Sequence, residues 1–167
     1  AGCEGLIFMP WLDGERSPVE DKVIRAGWLN VSLRTDRAML VRSVLEGVAF
    51  NSRWLLDAYE KYLRHPVPKL RILGGGAQSD EICQITANMF GLPVHRIQTF
   101  EASGLGSSMV GFVAKGIFPD YPAAAKAMVH IQDTFAPNAA EHELYEGLFR
   151  EIFQKIFPRL LPLYKAG

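Results

Sequence analysis

At 167 residues the chain has the length of one domain and enough sequence to bury a real core. Hydrophobic residues make up 49% and charged residues 22%, with 18 acidic side chains against 18 basic ones, so charge gives no reason to expect nucleic acid or an anionic membrane as partner. No apolar run approaches the roughly 20 residues of a membrane-spanning helix and no secretory leader is recognisable, which leads to the expectation of a cytoplasmic protein.

Residues 5–9, GLIFM, form a continuously apolar run ended by Pro10, the pattern of a buried strand. The early start of this strand predicts that the chain is a piece of something longer. Residues 11–26, WLDGERSPVEDKVIRA, mix Gly, Pro and charge without a period and read as an irregular loop. A helix is expected from Thr35, whose hydroxyl can cap the first turn. Its apolar face would be Val41, Val44, Leu45, Val48, Leu55, Leu56, Tyr59 and Leu63, spaced three and four apart, with Pro66 and Pro68 ending it. Residues 70–73 form the second predicted strand.

Ser79 or Asp80 can cap the next helix, which runs to Phe90 and stops at Gly91 in a left-handed conformation. A third strand is predicted over 94–97, and a helix rich in small residues from Glu101 to Gly116. Pro122 suits the first turn of a helix reaching Val129. Asn138 can cap the last long helix, with Leu144, Tyr145, Leu148, Phe149, Ile152, Phe153 and Ile156 as its inner face. Pro158 and Pro162 should kink or end that helix. Strands alternating with helices predict an α/β protein.

Two short stretches hold the chemical interest. Residues 70–80, LRILGGGAQSD, place three glycines between a strand and a helix start. Free backbone N–H groups then surround a space without any Cβ, and the helix dipole adds partial positive charge, which suits an anion. The same residues also suit a tight turn without any ligand. A P-loop is excluded because no lysine follows at the required offset. The dinucleotide fingerprint is excluded because Ser79 stands where its third glycine would be. In residues 101–111, EASGLGSSMVG, the small residues Gly104, Gly106, Ser107, Ser108 and Gly111 lie along one side of a helix and predict close packing against a neighbouring backbone. Cys3 and Cys83 are far apart with no metal spacing and read as two reduced thiols. His65, His95, His130 and His142 have no triad or metal context. Glu15 and Arg16 read as a structural ion pair fixing their loop, ahead of a phosphate-binding role for the arginine.

Three segments in this order and spacing resemble the C-terminal domain of the FGGY carbohydrate kinases. They are GLIFMPWLDGERSP, AGWLNVSLRTDRAMLVRSVLEGVAF with its "VLEG" helix, and LRILGGGAQSDEICQITANMFGLPV, which resembles the adenosine motif. EASGLGSSMVGFVAKG follows where that family has a Glu-Ala and small-residue helix, so the likeness extends over residues 5–118. Asn30 stands where the second signature usually has glycine, and Met39 where it has an acidic or polar residue. The GERSP pattern is closer to pentulokinase or gluconokinase-like members than to glycerol kinase.

The resemblance implies a ribonuclease H-like (actin-like ATPase) fold, with residues 1–167 as the C-terminal, ATP-side domain of a two-domain sugar kinase. It implies transfer of the γ-phosphate of ATP to a sugar hydroxyl, on a pentulose such as xylulose or a sugar acid such as gluconate. The alternative is a catalytically inactive nucleotide-binding or interaction module of the same fold. Carried over position by position, Gly74, Gly75, Gly76 and Ala77 would approach the adenosine and α-phosphate, and Gln78 and Asp80 would lie near ribose or adenine. No catalytic residue is expected in this chain. The base, the phosphate loops and the Mg²⁺ ligands would belong to the preceding part of the protein, as would the N-terminal domain and an opening β-hairpin. A sheet lacking that hairpin would carry an exposed edge, suited to a second copy or to the absent segment.

Overall fold

The structure is a computed structural model that describes residues 1–99 and 101–166. In chain order the strands and α-helices are β1 (Ile7–Met9), β2 (Gly27–Leu29), α1 (Arg37–Leu63), β3 (Leu70–Ile72), α2 (Asp80–Phe90), β4 (Val94–Ile97), α3 (Ala102–Ala114), α4 (Tyr121–Met128), β5 (Ile131–Phe135), α5 (Ala139–Leu148) and α6 (Gln154–Lys165). The chain divides into two compact units, the first from Ala1–Val67, Asn88–Gly91 and Pro137–Gly167, the second from Pro68–Ala87 and Leu92–Ala136.

In the first unit β1 is buried along its whole length and pairs antiparallel with β2, Phe8 opposite Trp28. Helix α1 crosses β1 at Gly47, where a Cβ would lie 2.4 Å from the Phe8 carbonyl oxygen. Only glycine allows that approach. The cap of α1 is Asp36, whose carboxylate accepts from the Met39 amide at 2.8 Å. Thr35, the expected cap, instead accepts from the Ser32 amide in the preceding turn.

The expected inner face of α1 is only partly the inner one: Leu56 is buried, and Val44, Leu45 and Leu63 are half-buried. Val41, Val48, Leu55 and Tyr59 are exposed, whereas Ser43, Glu46, Gly47, Phe50, Arg53, Leu56 and Asp57 are buried. The cause is pairing. The Glu46 carboxylate accepts from the Gly2 amide at 3.1 Å, Arg42 Nε at 2.8 Å and the Tyr145 hydroxyl at 2.7 Å. The Asp57 carboxylate is bound by Arg53 and Arg150. Satisfied in this way, charged groups can lie inside while isolated valines stay in water.

Asn138 caps α5 as expected, accepting from the Glu141 amide. A single π-helical turn, Phe149–Phe153, joins α5 to α6. Pro158 and Pro162 do not end α6. A helical proline costs about 3 kcal/mol. Offsetting this, the buried Phe157 ring stacks edge-on against Trp11 and Trp54 at 5.3 and 5.5 Å. Trp11, Phe50, Tyr145, Phe149 and Phe153 complete this aromatic core, all fully buried.

The second unit holds a three-stranded sheet in the order β3-β4-β5. β3 runs parallel to β4, with Leu70 opposite Val94 and Ile72 opposite Arg96. β5 runs antiparallel to β4. Its register slips between Arg96, opposite Asp133, and Ile97, opposite Ile131, leaving Gln132 as the extra residue of a bulge. α4 begins at Asp120, which caps the Ala123 amide, with Pro122 in the first turn as expected. Close packing of the small-residue face of α3 is not found. No residue of α3 is buried, and a Cβ at Gly106 or Gly111 would meet nothing within 4 Å. No helix of the described residues is long and apolar enough to cross a membrane.

Candidate functional site

Beyond β3 the backbone turns at Gly74, whose φ of 91° and ψ of −176° fall in a region open essentially to glycine alone. Gly75–Gln78 then form one 3₁₀ turn, closed by hydrogen bonds from the Ala77 amide to Gly74 at 3.1 Å and from the Ser79 amide to Gly76 at 3.2 Å. Ser79 caps α2, accepting from the Ile82 amide at 3.4 Å. A Cβ on Gly75 would touch nothing within 4 Å, and one on Gly76 only the tip of Ile82 at 4.0 Å. The amides of Gly75 and Gly76 donate to no acceptor among the described residues. The turn therefore requires Gly74, while neither turn nor packing requires Gly75 and Gly76. What they provide is bare backbone open to a ligand.

Beneath this surface the loop is anchored. Ala77 is buried, and its carbonyl accepts from the Cys83 thiol at 3.4 Å and from Arg96 Nη1 at 3.2 Å. Nη1 also donates to Asp80 at 2.7 Å, while Nε and Nη2 both bond Asp133, Nε at 2.9 Å. The Arg96 guanidinium lies 5.1 Å from the Phe135 ring centre. Donating hydrogen bonds to the Asp133 and Asp80 carboxylates holds the Arg96 pKa above its ordinary value, and burial pushes the Cys83 thiol up. Arg96 escaped the reading of the sequence. The only signal in the sequence was an arginine inside an otherwise ordinary strand, VHRI, since Asp80 and Asp133 are distant along the chain.

At the carboxyl ends of β3 and β4, where open α/β sheets bind ligands, a cleft of about 180 Å³ is lined by Ala77, Gln78, Arg96, Ile97, Gln98 and Gln132. It is smaller than the roughly 300–1,000 Å³ of a whole ligand site and suits one part of a larger ligand. Asp80 and Glu81 occupy the first turn of α2, where their charges answer the helix dipole and oppose a second anion. The glutamine amides and this acidic turn favour a neutral, hydrogen-bonding group.

The other sequence candidates lie apart from this chemistry. Glu15 and Arg16 form no ion pair. The Glu15 carboxylate accepts from the Arg16 and Ser17 amides at 2.7 and 3.0 Å and from Asn51 Nδ2 at 2.7 Å, so it fixes its loop through backbone amides. The Arg16 guanidinium is exposed and unpaired among the described residues. His95 bonds the Thr134 hydroxyl and His142 the Asn88 carbonyl. Both cysteines are free and buried. Among the described residues no three His, Cys, Asp or Glu side chains converge as a metal ion would require.

Residues 1–115 match the FGGY family of carbohydrate kinases, C-terminal domain. A xylulose kinase of Lactococcus lactis is 34% identical over 150 residues, which are 89% of this chain and 30% of that protein. Among solved structures, a ligand-bound xylulose kinase and a gluconate kinase, both from Lactobacillus acidophilus, each superpose with a TM-score of 0.87 at 26% identity, covering 99% of this chain and 33% of theirs. The chain thus spans about a third of the length of the proteins it matches. It belongs to the FGGY family of carbohydrate kinases and corresponds to that family's C-terminal domain.

Proposed function

We propose that the chain is the nucleotide-binding, ATP-side portion of a carbohydrate kinase that transfers the γ-phosphate of ATP to a sugar hydroxyl, on a pentulose such as xylulose or a sugar acid such as gluconate. Family membership and the xylulose and gluconate kinase relatives support the reaction. The observation that carries the site is the uncovered backbone of Gly75 and Gly76.

In this reading Gly74 shapes the turn, and the amides of Gly75 and Gly76 face the adenosine and α-phosphate, with Ala77 as the floor. Gln78 offers its amide to ribose or adenine. Asp80 and Glu81 bias the seat toward the neutral nucleoside and away from the triphosphate tail. Among the described residues no three His, Cys, Asp or Glu side chains come together. In keeping with the family resemblance, we place the Mg²⁺ ligands, the base that accepts the sugar proton and the phosphate loops in another part of a longer cytoplasmic protein. There too we place the sugar-binding domain and an opening β-hairpin of the ribonuclease H-like fold. β3, paired on one side only among the described residues, is the edge where the sheet would continue.

Calorimetric titration of the full-length protein with ADP tests the site. Gly75→Val should weaken ADP binding by tenfold or more and leave the melting temperature in place, because its Cβ enters open space. Unchanged affinity would remove the loop from the nucleotide site. Turnover of xylulose or gluconate by the wild-type protein separates a kinase from an inactive module of the same fold.

A further inference from the structure

Arg96 sits on β4, the central strand of its sheet, and its side chain is 12% exposed. It is gripped from behind by Asp133 and Phe135, and reaches forward to the Ala77 carbonyl and the Asp80 carboxylate. These two forward partners are the last residue of the loop floor and the first residue of α2. One guanidinium therefore ties both ends of the turn Gln78–Ser79 to the sheet. A planar fork is suited to this task, because its donors are fixed relative to one another.

The charge argument points the same way. The Asp80 side chain is 79% exposed, and Glu81 follows it. Left uncompensated, the Asp80 and Asp133 carboxylates would repel an anion on the loop. Arg96 offsets both. We propose that Arg96 is a positioning residue for the nucleotide, holding the glycine loop in its open form before the ligand arrives and offsetting part of the carboxylate charge at its rim. The proposal rests on the loop being the nucleotide seat.

The test compares Arg96→Gln and Arg96→Lys with Gly75→Val in the full-length protein, using ADP titrations and steady-state kinetics. Arg96→Gln should weaken ADP binding at least tenfold and raise KM for ATP, with KM for the sugar unchanged. Arg96→Lys, which keeps the charge and loses the fork, should fall between it and wild type. This milder variant decides the matter if the glutamine variant does not fold. The charge component has its own signature: the deficit of Arg96→Gln should shrink between 50 and 500 mM salt (about 14 and 4 Å of screening length). Adding Asp80→Asn to Arg96→Gln should restore part of the affinity. An ADP affinity equal to wild type in Arg96→Lys, or a sugar KM that rises in step with that of ATP, would overturn the proposal. If Gly75→Val abolishes binding and Arg96→Lys does not weaken it, the loop reading stands and Arg96 alone is dismissed. A wild-type protein that does not bind ADP overturns both.

Discussion

A Cβ on Gly47 would stand 2.4 Å from the Phe8 carbonyl oxygen, whereas one on Gly75 would touch nothing within 4 Å. The same residue type thus serves close packing in one place and open access in the other, and the letters G47 and G75 look alike in sequence. Cys3 shows a similar gap between letter and setting. Its thiol is buried beside the Glu46 carboxylate, and burial first, then that negative charge, pushes its pKa up to about 12. The unfolded thiol titrates near pH 8.5. Above that pH the unfolded chain releases a proton that the folded chain keeps, so stability is full below about pH 8.5 and declines as pH rises toward the folded value. Unfolding free energies from urea titrations between pH 8 and 10.5 should fall by at most about 1.4 kcal/mol per pH unit for this thiol. Cys3→Ser should flatten that slope; an unaltered slope would show that Cys3 does not contribute to it.

Among the elements, helix starts were the most legible in the sequence, because caps are local chemistry: Ser79, Pro122 and Asn138 all stand where the chain reads as a helix opening. β2 and β5 were not anticipated. Gly27–Leu29 is only three residues long, and Ile131–Phe135 is a largely exposed edge strand whose IQDTF lacks an apolar run. The inner face of α1 is only half legible, since hydropathy assigns valines to the core and ion pairs to water. Here Glu46, Arg53 and Asp57 are held inside by their partners. Two substitutions test these faces. Val48→Lys, on the exposed side, should change the stability of the chain by no more than about 0.5 kcal/mol. Phe50→Ala, which removes a ring stacked 5.2 Å from Phe153, should cost about 3–5 kcal/mol. Equal effects in urea denaturation would contradict the assigned faces.

At the scale of the whole molecule, the two units differ in what they bury. Among the described residues every fully buried aromatic ring belongs to the first, whereas the buried apolar residues of the second are Ala77, Cys83, Ile85, Ala87, Val94, Ile97 and Ala124. Smaller buried area means a lower free energy of local opening. Hydrogen exchange should therefore be faster in β3, β4 and β5 than in the middle of α1, and ADP should slow it chiefly in the second unit, by mass action on the bound state. Uniform exchange, or protection by ADP confined to the first unit, would contradict both the ranking and the location of the site. This asymmetry also explains how much of the site the sequence exposed. The glycine loop is a local pattern and was readable. Arg96 gains its meaning only when β4 brings it beside residues 77, 80 and 133.

The slip in β5 has a consequence for how this chain can vary. A deletion in an edge strand normally turns every following side chain to the opposite face. Gln132 is the surplus residue between two correctly opposed pairs, Arg96 with Asp133 and Ile97 with Ile131. Losing it would straighten the ladder and leave both pairs opposed as before, at the expense of one amide in the cleft wall. Relatives can therefore be one residue shorter here without refolding the sheet, and the length of this strand becomes a means of reshaping the cleft that amino-acid substitution alone does not offer.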